Sequence, residues 1–242
     1  MATLAPSPPA PAARPLRVRL ALFAALTLLA ASNVVSNRVW PQGYLVGNLA
    51  TTGVLLLLAR AGGLTRADLG LGGARLRRGL GLGAAAAAVV GVGYAVAAAL
   101  PATRTALVDP RGTASLAAVL FVALVRIPLG TVVLEELAFR GVLPALVGSG
   151  FGGGWWRATL VSSGLFGLWH VLPALGSPAA VTGALGSAGA VVGTVLFTAA
   201  AGVVFQAGQR WSGHLVTPML LHVATNSLGA LVAWWVTHRP HP

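Results

Sequence analysis

The chain has 242 residues, of which 56% are hydrophobic and 8% charged, with a formal net charge of +12. A soluble domain carries about 25% charged residues, and a surface this apolar would not stay in water, so a water-soluble globular fold is excluded. All of the basic side chains are Arg, lying singly or in small groups between apolar blocks. That is how charge is distributed around membrane spans, and a nucleic-acid binder would instead gather it on one face. No nucleic-acid partner is expected, and lipid is.

A hydrocarbon core about 30 Å thick takes roughly 20 helical residues to cross. Residues 1–15 are Pro- and Ala-rich, lack periodicity and are expected to form a disordered tail. Spans are expected at 16–35, 43–61 and 79–100. Arg14–Ser32 also has the basic start and apolar middle of a signal peptide, but with several spans following it is read as an uncleaved first helix. The next apolar stretch, 114–147, would be about 50 Å long as one helix, too long for a simple crossing. Arg126-Ile127-Pro128-Leu129-Gly130 lies inside it. That predicts a span ending or kinking near Arg126, then a second helical piece from about Thr131 to Leu146. Further spans are expected at 158–175, 183–206 and 213–236, with a short polar tail at 237–242. Residues 16–236 thus form one all-α domain, a polytopic transmembrane bundle of about seven to eight helices in the cell membrane.

The Gly/Ala-rich segments 79–89 and 183–193 predict close helix packing. Trp155, Trp156, Trp234 and Trp235 have the pattern of interfacial anchors. Arg14, Arg17 and Arg19 flank the first span, and Arg60, Arg66, Arg75, Arg77 and Arg78 lie in the second connection. The first connection holds Arg38, and the third Arg104 and Arg111 beside Asp109. This asymmetry predicts a cytoplasmic amino terminus.

There is no Cys, which excludes a disulfide framework, a thiolate metal site and a cysteine nucleophile. The acidic residues number four. Asp68 and Asp109 fall in connections, whereas Glu135 and Glu136 sit inside an apolar run. A charge at the bilayer centre costs at least about 2.5–3.5 kcal/mol, so this pair marks a functional site unless it lies at a helix end in water. Glu136 and Arg140 are i and i+4 and can pair, while Glu135 lies about 140° around the helix from Arg140. Glu135 is therefore the better general base or ligand, with Glu136 and Arg140 as its support.

His170 stands near the end of the next span, three residues before Pro173, with Phe166 one turn earlier on the same face. In the last span His222 and Asn226 are i and i+4. An imidazole and a carboxamide there suit metal ligation with second-shell support, oxyanion stabilisation, or interhelical hydrogen bonding. His214, His238 and His241 are read as solvated. A carboxylate, two imidazoles and an amide on three helices together make a kit for hydrolysis.

These residues resemble the CAAX-processing and bacteriocin-processing (CPBP, or Abi) intramembrane endopeptidases. The family pattern is Glu-Glu-x-x-x-Arg, then Phe-x-x-x-His, then His-x-x-x-Asn or Asp. Here it reads Glu135-Glu136-Leu137-Ala138-Phe139-Arg140, Phe166-Gly167-Leu168-Trp169-His170 and His222-Val223-Ala224-Thr225-Asn226, within about 114–230. The resemblance implies an intramembrane peptidase with Glu135, His170, His222 and Asn226 around a conical or central cavity, acting on a membrane-associated peptide or protein. It implies one of two chemistries. Either Glu135, His170 and His222 hold a divalent metal, most simply zinc, or Glu135 and His170 activate water directly while His222 and Asn226 stabilise the oxyanion. A non-catalytic immunity or binding protein and a transporter with a Glu/His relay are the alternatives from other classes.

Overall fold

The computed structural model describes residues 13–108, 114–152, 154–176 and 186–238. Most of the expected amino-terminal tail and His241 lie outside them. Among the described residues seven helices are long and apolar enough to cross a membrane: α1 (Leu16–Val39), α2 (Pro41–Ala61), α3 (Gly73–Ala99), α4 (Leu116–Phe151), α5 (Gly154–Leu175), α6 (Gly186–Ser212) and α7 (Val216–His238). Each falls on one of the apolar stretches read from the sequence, and no strand occurs among the described residues.

The main apolar core gathers Leu22, Ala25 and Leu29 of α1, Leu55 of α2, Leu134, Leu143 and Leu146 of α4 and Phe166 of α5. Many large apolar side chains point outward instead, among them Phe23, Leu57, Val89, Leu160, Leu196 and Phe197. An outward apolar surface is stable where the solvent is lipid, and helix association then rests on close packing and interhelical hydrogen bonds. Gly79 and Gly83 let α3 settle on α7: a Cβ at Gly79 would lie 2.7 Å from Val216, and one at Gly83 2.8 Å from Leu220. Close packing was also expected at 183–193, but Gly186 and Gly193 face open space. On α6 the tight contacts come further along, where Gly167 of α5 meets the Val195 carbonyl and Gly202 meets Ser163.

Of the two expectations near Arg126, an end or a kink, the end is not seen. The helical path is continuous from Leu116 to Phe151, because residues Val122–Val132 wind as a π-helix around the proline. In that i→i+5 register Pro128 cannot donate to Ala123. The orphaned Ala123 carbonyl accepts instead from Ser227 Oγ of α7 at 2.7 Å. Gly130, in the same stretch, gives its carbonyl to Asn48 Nδ2 of α2 at 2.7 Å, and Asn48 Oδ1 accepts from Ser36 Oγ of α1. Backbone polar groups freed inside a membrane must find such partners.

The connection between α2 and α3 folds back against the bundle. Asp68 caps its turn by accepting from the Thr65 amide and hydroxyl. Leu69 is buried in the core, and the Gly70 carbonyl accepts from the Leu215 amide at 2.8 Å. This loop lies against Gly141, about a turn and a half from the Glu pair.

Candidate active site

Glu135 and Glu136 of α4 are both buried, at 4% and 0% exposure. The i,i+4 partner expected for Glu136 is in place, with Arg140 Nη1 3.2 Å from Glu136 Oε1. The Arg140 guanidinium is sandwiched further, 3.9 Å from the centre of the Phe166 ring and 4.9 Å from that of Phe205. An Arg between an anion and two aromatic faces is a desolvated, fixed charge.

Glu136 Oε1 also accepts from His222 Nδ1 of α7, at 2.7 Å. A carboxylate only accepts, so the Nδ1 proton is assigned by this bond and Nε2 is turned elsewhere. It faces Glu135, with Nε2 3.8 Å from Oε2, an ion-pair distance too long for a hydrogen bond. Glu135 Oε1 is held by Trp169 Nε1–H of α5 at 3.0 Å. Glu135 Oε2 is buried and makes no hydrogen bond, and the same holds for Glu136 Oε2 and both Arg140 Nη atoms. Buried polar groups are nearly always paired, so a cluster this under-satisfied calls for a functional explanation.

Charge counting sharpens the point. Two carboxylates and one guanidinium sum to −1 inside an apolar bundle, and one further proton on the Glu135–His222 pair brings the cluster to neutrality.

His170 is half-buried, and its Nδ1 donates to the Phe166 carbonyl at 2.8 Å. This leaves Nε2 as the acceptor. The Phe166 ring meets it edge-on at 4.7 Å, as their shared helix face predicted, and lies 6.3 Å from the His222 ring. No hydrogen bond or ion pair joins His170 to Glu135, Glu136 or His222. Asn226 is exposed, its Oδ1 near Thr225 Oγ1 at 3.4 Å. Residues Ala224–Leu228 form a π-turn, and Asn226 within it is exposed while His222, four residues earlier, is buried.

Among the described residues no three His, Asp or Glu side chains form a group that could hold a metal ion. As placed, Glu135, His170 and His222 do not fit a three-ligand zinc site, and Glu135 with His222 supplies two donors.

His214, expected to be solvated, is buried at 7% exposure between α6 and α7. It sits against Gly79, its Nδ1 accepts from the Val216 amide at 3.0 Å, and burial lowers its pKa below 6.5. His238 is exposed and stacks on Trp234.

Sequence reasoning passed over Trp169. A buried indole N–H must find an acceptor, and within the apolar spans few acceptors other than Glu135 were on offer, so that signal was present. The bond from His222 to Glu136 carried no local signal, because 86 residues separate the two.

Residues 115–228 match the family model described as type II CAAX prenyl endopeptidase Rce1-like. No curated protein and no solved structure matches the chain. The matched stretch contains all of α4, α5 and α6 and most of α7, and with them the whole Glu135–Glu136–Arg140–Trp169–His222 cluster. The chain is thus a multi-pass membrane protein whose residues 115–228 are similar to the CAAX prenyl endopeptidase family that its three motifs resemble.

Proposed function

We propose that this protein is an intramembrane endopeptidase that hydrolyses a peptide bond of a membrane-associated peptide or protein, with Glu135 as general base. The observation carrying this reading is Glu135 Oε2: buried, without a hydrogen-bond partner, and 3.8 Å from His222 Nε2. The oxygen is held at a fixed place by the Trp169 bond to Oε1, yet keeps its lone pairs for a proton. In the proposed reaction it takes a proton from water as the water oxygen adds to the scissile carbonyl carbon. In this scheme His222 is protonated on Nε2 and donates a hydrogen bond to the oxyanion. The C–N bond then breaks, and the proton on Glu135 passes to the departing amine. Glu136 fixes the His222 tautomer, and Arg140 offsets its charge. His170, with Nε2 free to accept, and Asn226 are assigned to water activation and the oxyanion respectively once substrate is bound. No step here passes through a metal.

The amino terminus is placed in the cytoplasm. In that orientation Arg17, Arg19, Arg60, Arg66, Arg75, Arg77, Arg78, Arg157 and Arg210 lie at cytoplasmic helix ends and loops, against Arg38, Arg104 and Arg126 on the opposite side.

The test compares membranes carrying wild type with membranes carrying Glu135→Gln, mapping new peptide termini by mass spectrometry. Termini seen only with wild type are expected, and they would identify the substrate. Identical maps from two folded, equally abundant proteins would end the peptidase reading.

A further inference from the structure

We infer that Trp169 is a positioning residue, whose indole N–H selects which oxygen of Glu135 does the proton work. This rests on the peptidase reading and adds to it a residue at an unspecified position of the Phe-x-x-x-His pattern.

The indole is itself immobilised. Asn33 Nδ2 of α1 donates to the Trp169 carbonyl at 2.9 Å, and Phe139 of α4 packs edge-on against the ring at 5.7 Å. Trp169 also lines an apolar cleft of about 180 Å³ with Leu26, Leu29, Leu165 and Leu168. The residue is 9% exposed, so its N–H has little access to any acceptor other than Glu135 Oε1. Three helices therefore converge on one hydrogen bond, 3.0 Å long and buried.

Its consequence follows from the neighbouring distance. With Oε1 tied to Trp169, Oε2 stays 3.8 Å from His222 Nε2, just beyond hydrogen-bond reach. Without that tie both oxygens are unpartnered, and a rotation of the carboxylate closes the gap. Glu135 and His222 then bond each other, and the base is withdrawn from water. Trp169 holds the pair apart.

Trp169→Phe removes the N–H and keeps a ring for Phe139 and the cleft, and Asn33 still meets the backbone carbonyl. Turnover is followed with a farnesylated, internally quenched peptide ending in Cys-aliphatic-aliphatic-residue. The expected result is a kcat lower by roughly 10–100-fold, the scale of one lost hydrogen bond to a charged group, with KM unchanged within about twofold. The independent readout is the ¹⁹F spectrum of 5-fluorotryptophan-labelled protein. The resonance lost in Trp169→Phe is assigned to Trp169, and it is expected to shift when Glu135→Leu removes the acceptor. A Trp169 resonance unmoved by Glu135→Leu would overturn the hydrogen bond. A shifted resonance with wild-type kcat in Trp169→Phe would overturn the positioning role and leave the peptidase reading intact. A folded wild type that fails to cleave any peptide would overturn both.

Discussion

Removing Glu136 should strand a charge in the membrane, and the size of the effect can be worked out from the site. Glu136 is fully buried, Arg140 is 2% exposed, and their charged atoms are 3.2 Å apart. At an effective dielectric constant of 20 that separation corresponds to about 5 kcal/mol of attraction. Breaking a buried pair from one side typically costs about 3–5 kcal/mol, because the remaining ion is uncompensated. Glu136→Ala also removes the acceptor of His222 Nδ1, a loss of the same sign. Reversible SDS unfolding in mixed micelles should therefore show Glu136→Ala destabilised by about 3–5 kcal/mol. The double variant Glu136→Leu with Arg140→Met leaves no orphan charge, and should recover most of the stability while staying inactive. A loss below about 1 kcal/mol in Glu136→Ala, or a double variant no better than the single, would refute the reasoning.

Other outcomes follow from the packing and the donors. Gly167→Ala should cost about 1–3 kcal/mol, since its Cβ would lie 2.6 Å from the Val195 carbonyl. Gly164→Ala, facing open space three residues earlier, should be neutral in the same unfolding assay. Burial lowers the folded-state pKa of His214, so below its ordinary value of 6.5 the unfolded chain binds more protons. That contribution to stability is complete above pH 6.5 and declines as pH falls through 6.5 towards the lower folded value. His214→Gln should flatten the fall between pH 7.5 and pH 5, and an unchanged profile would remove His214 as its source. Dialysis against a chelator should leave turnover within about twofold, because Glu135 and His222 form a pair and no group of three. Loss of turnover restored by zinc would bring His170 into a metal set.

Much of this architecture was legible because lipid makes long apolar blocks unambiguous. Each of the seven helices lies on a stretch read from hydropathy alone. The ion pair of Glu136 with Arg140 was legible as well, since i,i+4 spacing survives in the fold. What could not be read was the winding within helices. Pro128 suggested an end or a kink, and the helix continues through it in a π register, with the Ala123 carbonyl met by a hydroxyl from Ser227, 104 residues further on. Nor did the i,i+4 spacing indicate that Asn226 would be exposed while His222 is buried. Nor did local spacing indicate which carboxylate His222 would bind, because that depends on how α7 packs beside α4. His214 looked solvated from its place at a helix start, yet glycine at position 79 draws α3 over it.

The most direct measurement of the central claim uses purified protein in liposomes with the farnesylated fluorogenic peptide, comparing wild type, Glu135→Gln and His222→Gln. Each variant should keep the wild-type fold and lose at least about 100-fold in turnover, as expected for a base and its oxyanion partner. Wild-type turnover in a folded Glu135→Gln protein would contradict the account at its centre.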